Sequence, residues 1–206
     1  MAKLDLEIFE NEITALEHKV LNHKNSRNLV AFYGSSSIRL WETMEEELHP
    51  INVINLGFGG SSYPYCYHYF NRVFKHLAPS QIVLYAGDND LGSGRAIIEV
   101  FNDFKRLIEA IHGMYSNIPI HVISIKPSPS RAHLLSMTSE TNALMKKYIQ
   151  GTKNGRWVEL FGKMLDENAQ TLPDLYIEDQ LHLNAKGYDV WRKVVKHHLF
   201  ANNQVI

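Results

Sequence analysis

Leu29-Val30-Ala31-Phe32-Tyr33-Gly34-Ser35-Ser36-Ser37-Ile38-Arg39-Leu40-Trp41 is the stretch on which the fold turns. An apolar run from Leu29 to Tyr33 ends in one glycine and three serines, and a helical pattern begins at Ile38. This reads as strand, tight turn, helix. A serine at such a turn stands at the carboxyl end of a strand and the amino end of a helix, where backbone amides favour an anion. A serine nucleophile and its oxyanion need that setting. Ser35 to Ser37 would equally suit a helix cap, so the rest of the chain decides.

Working outward, residues 4 to 22 read as a helix, with Phe9, Ile13, Leu16 and Val20 on one stripe. It packs on the sheet or serves a dimer contact. A polar break, Asn22 to Arg27, leads into strand one. Ile38 to Leu48 reads as one helix, Ile51 to Leu56 as strand two, and Pro64 or Tyr65 to His76 as a helix. Strand three is Gln81 to Ala86, and Arg95 to His112 is the clearest helix, closed by Gly113. Strand four is Ile118 to Ile125, Ser136 to Ile149 is helical, and Trp157 to Leu160 is strand five. Residues 161 to 183 read as mostly irregular, and Asn184 caps a last helix. Strands that are nearly continuous apolar runs, alternating with helices, argue for a parallel sheet buried on both faces. Ligands of such sheets sit beyond the carboxyl ends of the strands.

Composition narrows the function classes. The chain has 206 residues, 45% of them hydrophobic and 21% charged, enough for one sizeable core in one domain. A net charge of -1 gives no electrostatic case for nucleic acid or an anionic membrane. No apolar run approaches membrane-spanning length. The single cysteine, Cys66, excludes an intrachain disulfide. The opening Met1-Ala2-Lys3-Leu4-Asp5-Leu6-Glu7 lacks the apolar core of a signal peptide, so a cytoplasmic protein is expected.

Asp179-Gln180-Leu181-His182 is the second informative stretch. An aspartate three residues before a histidine can hold the imidazole's Nδ1 proton and leave Nε2 free to take one from a serine. The alternative is a surface turn with a capping aspartate. Ser36, Asp179 and His182 follow the order nucleophile, acid, base. That order is shared with α/β-hydrolases, but their elbow needs Gly-x-Ser-x-Gly, and Ile38 stands at the second glycine position. Gly60 could offer the oxyanion a backbone N–H, and Asn89 its side-chain amide. Against this, Gly57, Gly59 and Gly60 suit a turn needing positive φ, and Asp88-Asn89-Asp90 suits an Asx turn.

Together these four stretches resemble the SGNH (GDSL-like) hydrolase superfamily. The first block is Gly34-Ser35-Ser36, with Ser35 in place of the usual aspartate; the second is Asn55 to Gly60; the third is Gly87-Asp88-Asn89-Asp90; the fourth is Asp179 to His182. Three longer strings, Gly34 to Trp41, Tyr85 to Leu91 and Ile125 to Arg131, look like a bacterial branch similar to the acetylhydrolases of platelet-activating factor. The resemblance implies a flavodoxin-like α/β/α sandwich with strand order 2-1-3-4-5. It also implies a Ser36 nucleophile, His182 as base, Asp179 orienting it, and an oxyanion hole of the Ser36 and Gly60 N–H groups with the Asn89 side chain. The expected activity is hydrolysis of a small-molecule acyl or acetyl ester without metal or cofactor. A catalytically silent binding protein on the same fold is the alternative.

Other residues carry weaker expectations. Phe58, Tyr63 and Tyr65, with Tyr67 and Tyr69, are candidates to line the substrate pocket or to serve as ordinary packing. Lys126 and Arg131 could touch an anionic substrate group or be solvated loop charges. Asp88 is a further candidate near substrate, or with Asp90 a cation site. Cys66 reads as a small buried side chain rather than a nucleophile. The eleven histidines form no compact metal-ligand spacing.

Overall fold

Five short strands form the parallel sheet that the strand and helix alternation predicts, in the order β2-β1-β3-β4-β5 that the family resemblance implies. The computed structural model describes residues 5–23 and 27–203, with backbone alone at 202 and 203. The strands are β1 (Val30–Gly34), β2 (Val53–Gly57), β3 (Gln81–Tyr85), β4 (Ile120–Ile123) and β5 (Gly155–Val158). Helices α1 (Glu10–Asn22), α4 (Tyr63–Phe74), α6 (Ile97–Met114) and α7 (Leu135–Gln150) bury their apolar stripes in one core. Helices α2 (Ser36–Arg39), α3 (Met44–Leu48) and α8 (Ala185–Asn203) contribute to the other. The sheet separates the two cores by simple alternation. Ala31 and Tyr33 join the first, and Val30 and Phe32 the second.

Register places the loops after β1, β2 and β3 on one rim. Gly34 is the cross-strand partner of both Gly57 and Tyr85, so the chain leaves β1, β2 and β3 at the same level. Gly34 has φ +146°, and a Cβ there would lie 1.8 Å from the Tyr85 carbonyl oxygen. Only glycine lets the two backbones approach this closely.

Three elements differ from the sequence expectation. The single helix from Ile38 to Leu48 is two short ones, starting at Ser36 and interrupted around Trp41. The Asn55 amide, reaching up from β2, donates to the carbonyl oxygens of Ile38 at 2.6 Å and Trp41 at 3.4 Å. The Trp41 ring, meanwhile, stacks on Tyr188 of α8. The same carbonyls accept tight local bonds, from the Trp41 N–H to Ile38 at 3.1 Å and the Met44 N–H to Trp41 at 3.2 Å, so Asn55 supports a turn in place of a continuous helix. The Asp88 region is a helical turn, α5 (Asp88–Gly92), rather than an open Asx turn. The expected helix at residues 4–22 is a 3-10 turn, Glu7–Phe9, followed by α1; its start at residue 4, and residues 24–26 of the polar break, lie outside the described residues. Phe9, Ile13, Leu16 and Val20 of this segment are buried, and Arg72 of α4 pairs with Glu10 and Glu17.

Candidate active site

Ser36 opens α2 directly after the β1 turn. The Ser35 N–H donates to the Tyr85 carbonyl at 2.9 Å, and the Phe58 N–H to the Gly34 carbonyl at 3.0 Å. The turn is therefore held from both neighbouring strands. Ser35 and Ser37 are buried at its two sides. The Ser36 hydroxyl instead faces His182, with 3.1 Å between Oγ and Nε2.

The His182 loop holds itself. Asp179 Oδ1 accepts the backbone N–H groups of Leu181 at 2.8 Å and His182 at 2.9 Å. Its Oδ2 lies 2.6 Å from His182 Nδ1. Burial alone would raise the Asp179 carboxyl, but the bonds from His182 and Leu181 outweigh it and bring the pKa down to about 2. An ionised Asp179 makes Nδ1 the protonated nitrogen, which leaves Nε2 to accept from Ser36. The structure thus brings together three residues from the two ends of the chain.

The oxyanion candidates sit on the same rim. Gly60 has φ +65° and is exposed, and among Gly57, Gly59 and Gly60 it is the one with positive φ. Next to it, the Ser61 carbonyl accepts from Asn89 Nδ2 at 3.1 Å, which ties the third block to the second. The Gly59 N–H donates to Glu12 Oε2 at 2.9 Å, and Arg39 Nε lies 3.5 Å from the same oxygen. Glu12 on α1 therefore braces the glycine loop against the helix that carries Ser36.

Several expected pocket residues are placed elsewhere. Phe58 and Tyr63 are fully buried. Phe58 packs between Phe9, Tyr33 and Tyr69, and Tyr63 against Phe104. Both belong to the first core, Phe58 directly after β2 and Tyr63 as the first residue of α4. Tyr69 is buried too; Tyr65 is half-buried against Phe9, and Tyr67 is exposed beneath the Arg106 guanidinium.

Asp88 and Lys126 do not line an open pocket either. The Lys126 side chain is only 1% exposed, and its ammonium lies 3.4 Å from Asp88 Oδ2. It also donates to the Leu181 carbonyl at 2.8 Å. Burial lowers its pKa, and the Asp88 charge opposes that shift. Lys126 is neither a solvated loop charge nor free for a substrate anion. Asp90 accepts the Tyr63 N–H and pairs with Arg95 at 3.0 Å, so the two aspartates are occupied by cations of this chain. Burial pushes the Cys66 thiol well up, which removes it as a nucleophile.

Sequence reasoning missed the bracing by Glu12, the buried Lys126 clamp and the bond from Arg131 Nη2 to Asn89 Oδ1 at 3.0 Å. Each joins residues far apart in the chain. The one local signal was the pair of cations in the otherwise Pro- and Ser-rich stretch 126–131.

A family model described as GDSL-like Lipase/Acylhydrolase matches residues 29–190. A solved structure from Streptococcus pneumonia, provisionally described as a platelet activating factor, is 21% identical, with a TM-score of 0.83 and 94% of each chain covered. A GDSL-like lipase from Bacteroides thetaiotaomicron is 17% identical, with a TM-score of 0.75 over 96% of this chain and 98% of that one. A lipase/acylhydrolase from Enterococcus faecalis is 15% identical, with a TM-score of 0.71 over 85% and 97%. At these identities the likeness is one of fold. No curated protein gives a significant match.

Proposed function

The chain belongs to the GDSL-like lipase/acylhydrolase family, and from that membership we propose that it is a carboxylic ester hydrolase acting on a small-molecule acyl or acetyl ester. Ser36 Oγ attacks the ester carbonyl while His182 Nε2 takes its proton. Asp179 holds Nδ1–H and stabilises the imidazolium that forms. The Asn89 Nδ2–H, with the N–H groups of Gly60 and Ser36, receives the developing oxyanion. The imidazolium then protonates the leaving alkoxide, and an acyl-Ser36 remains. Water, deprotonated by His182, attacks that ester and releases the acid and the free serine.

The observation that carries this reading is the aligned pair of contacts at His182, 3.1 Å to Ser36 Oγ on one nitrogen and 2.6 Å to Asp179 on the other. Both lie within reach of a base and its orienting acid. Hydrolysis of p-nitrophenyl esters of graded acyl length, with Ser36→Ala as control, tests it. Turnover that depends on Ser36 is expected. An active Ser36→Ala protein, or none of the esters cleaved, would overturn the reading.

A further inference from the structure

We propose that Arg131 is a positioning residue of this site, setting which end of the Asn89 amide faces the reacting carbonyl. The inference rests on the ester-hydrolase reading above.

The two ends of an Asn amide are nearly equal in shape and opposite in chemistry. One accepts and the other donates, and only the donor is of use to an oxyanion. Arg131 Nη2 lies 3.0 Å from Asn89 Oδ1. On the other side, Asn89 Nδ2 lies 3.1 Å from the Ser61 carbonyl oxygen. A guanidinium carries donors and no acceptor, and a carbonyl accepts without donating. Turning the amide over would set NH2 against the guanidinium and oxygen against oxygen, so both bonds would become repulsions. Arg131 and Ser61 thus admit one orientation. The amide nitrogen has two hydrogens; Ser61 takes one and the second remains to donate. The guanidinium charge on Oδ1 also draws electron density from the nitrogen and strengthens it as a donor.

Arg131 is itself held in place. Its Nη1 lies 3.6 Å from Asp88 Oδ2, beside the Lys126 ammonium. Its guanidinium crosses α5 at Gly92, where a Cβ would come within 2.7 Å of the guanidinium carbon. Its backbone N–H donates to the Ser128 carbonyl at 3.1 Å, and the neighbouring Ser130 N–H to the Gln180 carbonyl at 3.1 Å, in the His182 loop. One short segment therefore reaches both the oxyanion side and the base side of the site.

The test is a double-mutant cycle on purified protein, with kcat and KM for p-nitrophenyl acetate measured alongside melting temperature. Arg131→Ala should lower kcat on the order of tenfold while KM stays within about twofold, because the lost bond matters most in the transition state. In the Asn89→Ala background the same change should alter kcat by less than about twofold, since the group it acts through is gone. Added guanidinium should restore part of the activity of Arg131→Ala and none in the double variant. If Arg131→Ala does not fold, Arg131→Met, which keeps the stem, runs the same cycle. Equal losses in both backgrounds, or a rise in KM alone, would overturn the inference while Ser36-dependent turnover leaves the hydrolase reading standing. Absence of Ser36-dependent turnover would overturn both.

Discussion

Lys126 Nζ donates to the carbonyl oxygen of Leu181 at 2.8 Å, one residue before His182 and across 55 residues of chain. The same ammonium neutralises Asp88, one residue before Asn89. A single buried cation thus spans the His182 loop and the Asn89 turn. Removing one partner of a buried pair costs about 3–5 kcal/mol, and Arg131 beside Asp88 moderates the loss. Lys126→Met should therefore lower the melting temperature clearly and reduce kcat in the surviving folded protein. Thermal melting and esterase assays on the same sample check this; wild-type stability with wild-type kcat would contradict the clamp.

Ser36 should be the one residue labelled by an organophosphorus reagent. All three serines are buried, but the Ser36 hydroxyl is the one that faces His182, and Ser35 and Ser37 lie still deeper at the two sides of the turn. Mass spectrometry should find one phosphonate adduct per chain, on Ser36, with activity lost in step. Ser36→Ala should abolish labelling and lower kcat by several orders of magnitude. An adduct on Ser35, Ser37 or Cys66 would reassign the nucleophile.

Asp179→Asn should lower kcat by roughly 10³–10⁴. An amide at this position can donate to Nδ1 and favour the tautomer with the proton on Nε2, which cannot accept from Ser36. The wild-type carboxyl is brought down to about 2, so Asp179 stays ionised across the assay range and contributes no acid limb of its own. A variant within tenfold of wild type would remove Asp179 from the mechanism.

His121 should make the fold acid-sensitive. It is buried in β4, with Nε2 2.8 Å from Gln81 Oε1 and Nδ1 3.0 Å from His198 Nε2. Burial, followed by His198 and Arg156, pulls its pKa down to about 3. An unfolded histidine titrates near ~6.5. The unfolded chain therefore gains a proton first, and stability present above that value is lost as pH falls towards 3. Between pH 7 and 5 this one group removes about 2 kcal/mol. Urea unfolding at the two pH values should show that loss in the wild type and a smaller one in His121→Asn. An equal loss in both would exclude His121 as the source.

The parallel sheet was legible because its strands are short apolar runs, three of them leading into glycine and small polar residues, a pattern carried by neighbours in sequence; the strand order came with the family resemblance. Asp179 and His182 were legible as a pair because they stand three positions apart. The broken helix at Trp41 was not, because the amide that supports the turn comes from Asn55 on another strand. Phe58 and Tyr63 look alike as loop aromatics whether they face a pocket or a core, and only their partners from distant segments, Phe9 and Tyr33 for one and Phe104 for the other, separate the two. Lys126 reads as a loop charge until Asp88 and Leu181 are seen around it.

The hold of Glu12 on the Gly59 amide has a consequence for anyone who recombines this chain with a relative. The family match begins at residue 29, yet the glycine loop is braced by the carboxylate of Glu12, on a helix that lies wholly before that boundary. A chimera cut at the family boundary would import a loop and leave its anchor behind. The smallest interchangeable module therefore starts upstream of α1, and a graft that carries Glu12 together with Arg39 should hold its activity where one cut at 29 does not.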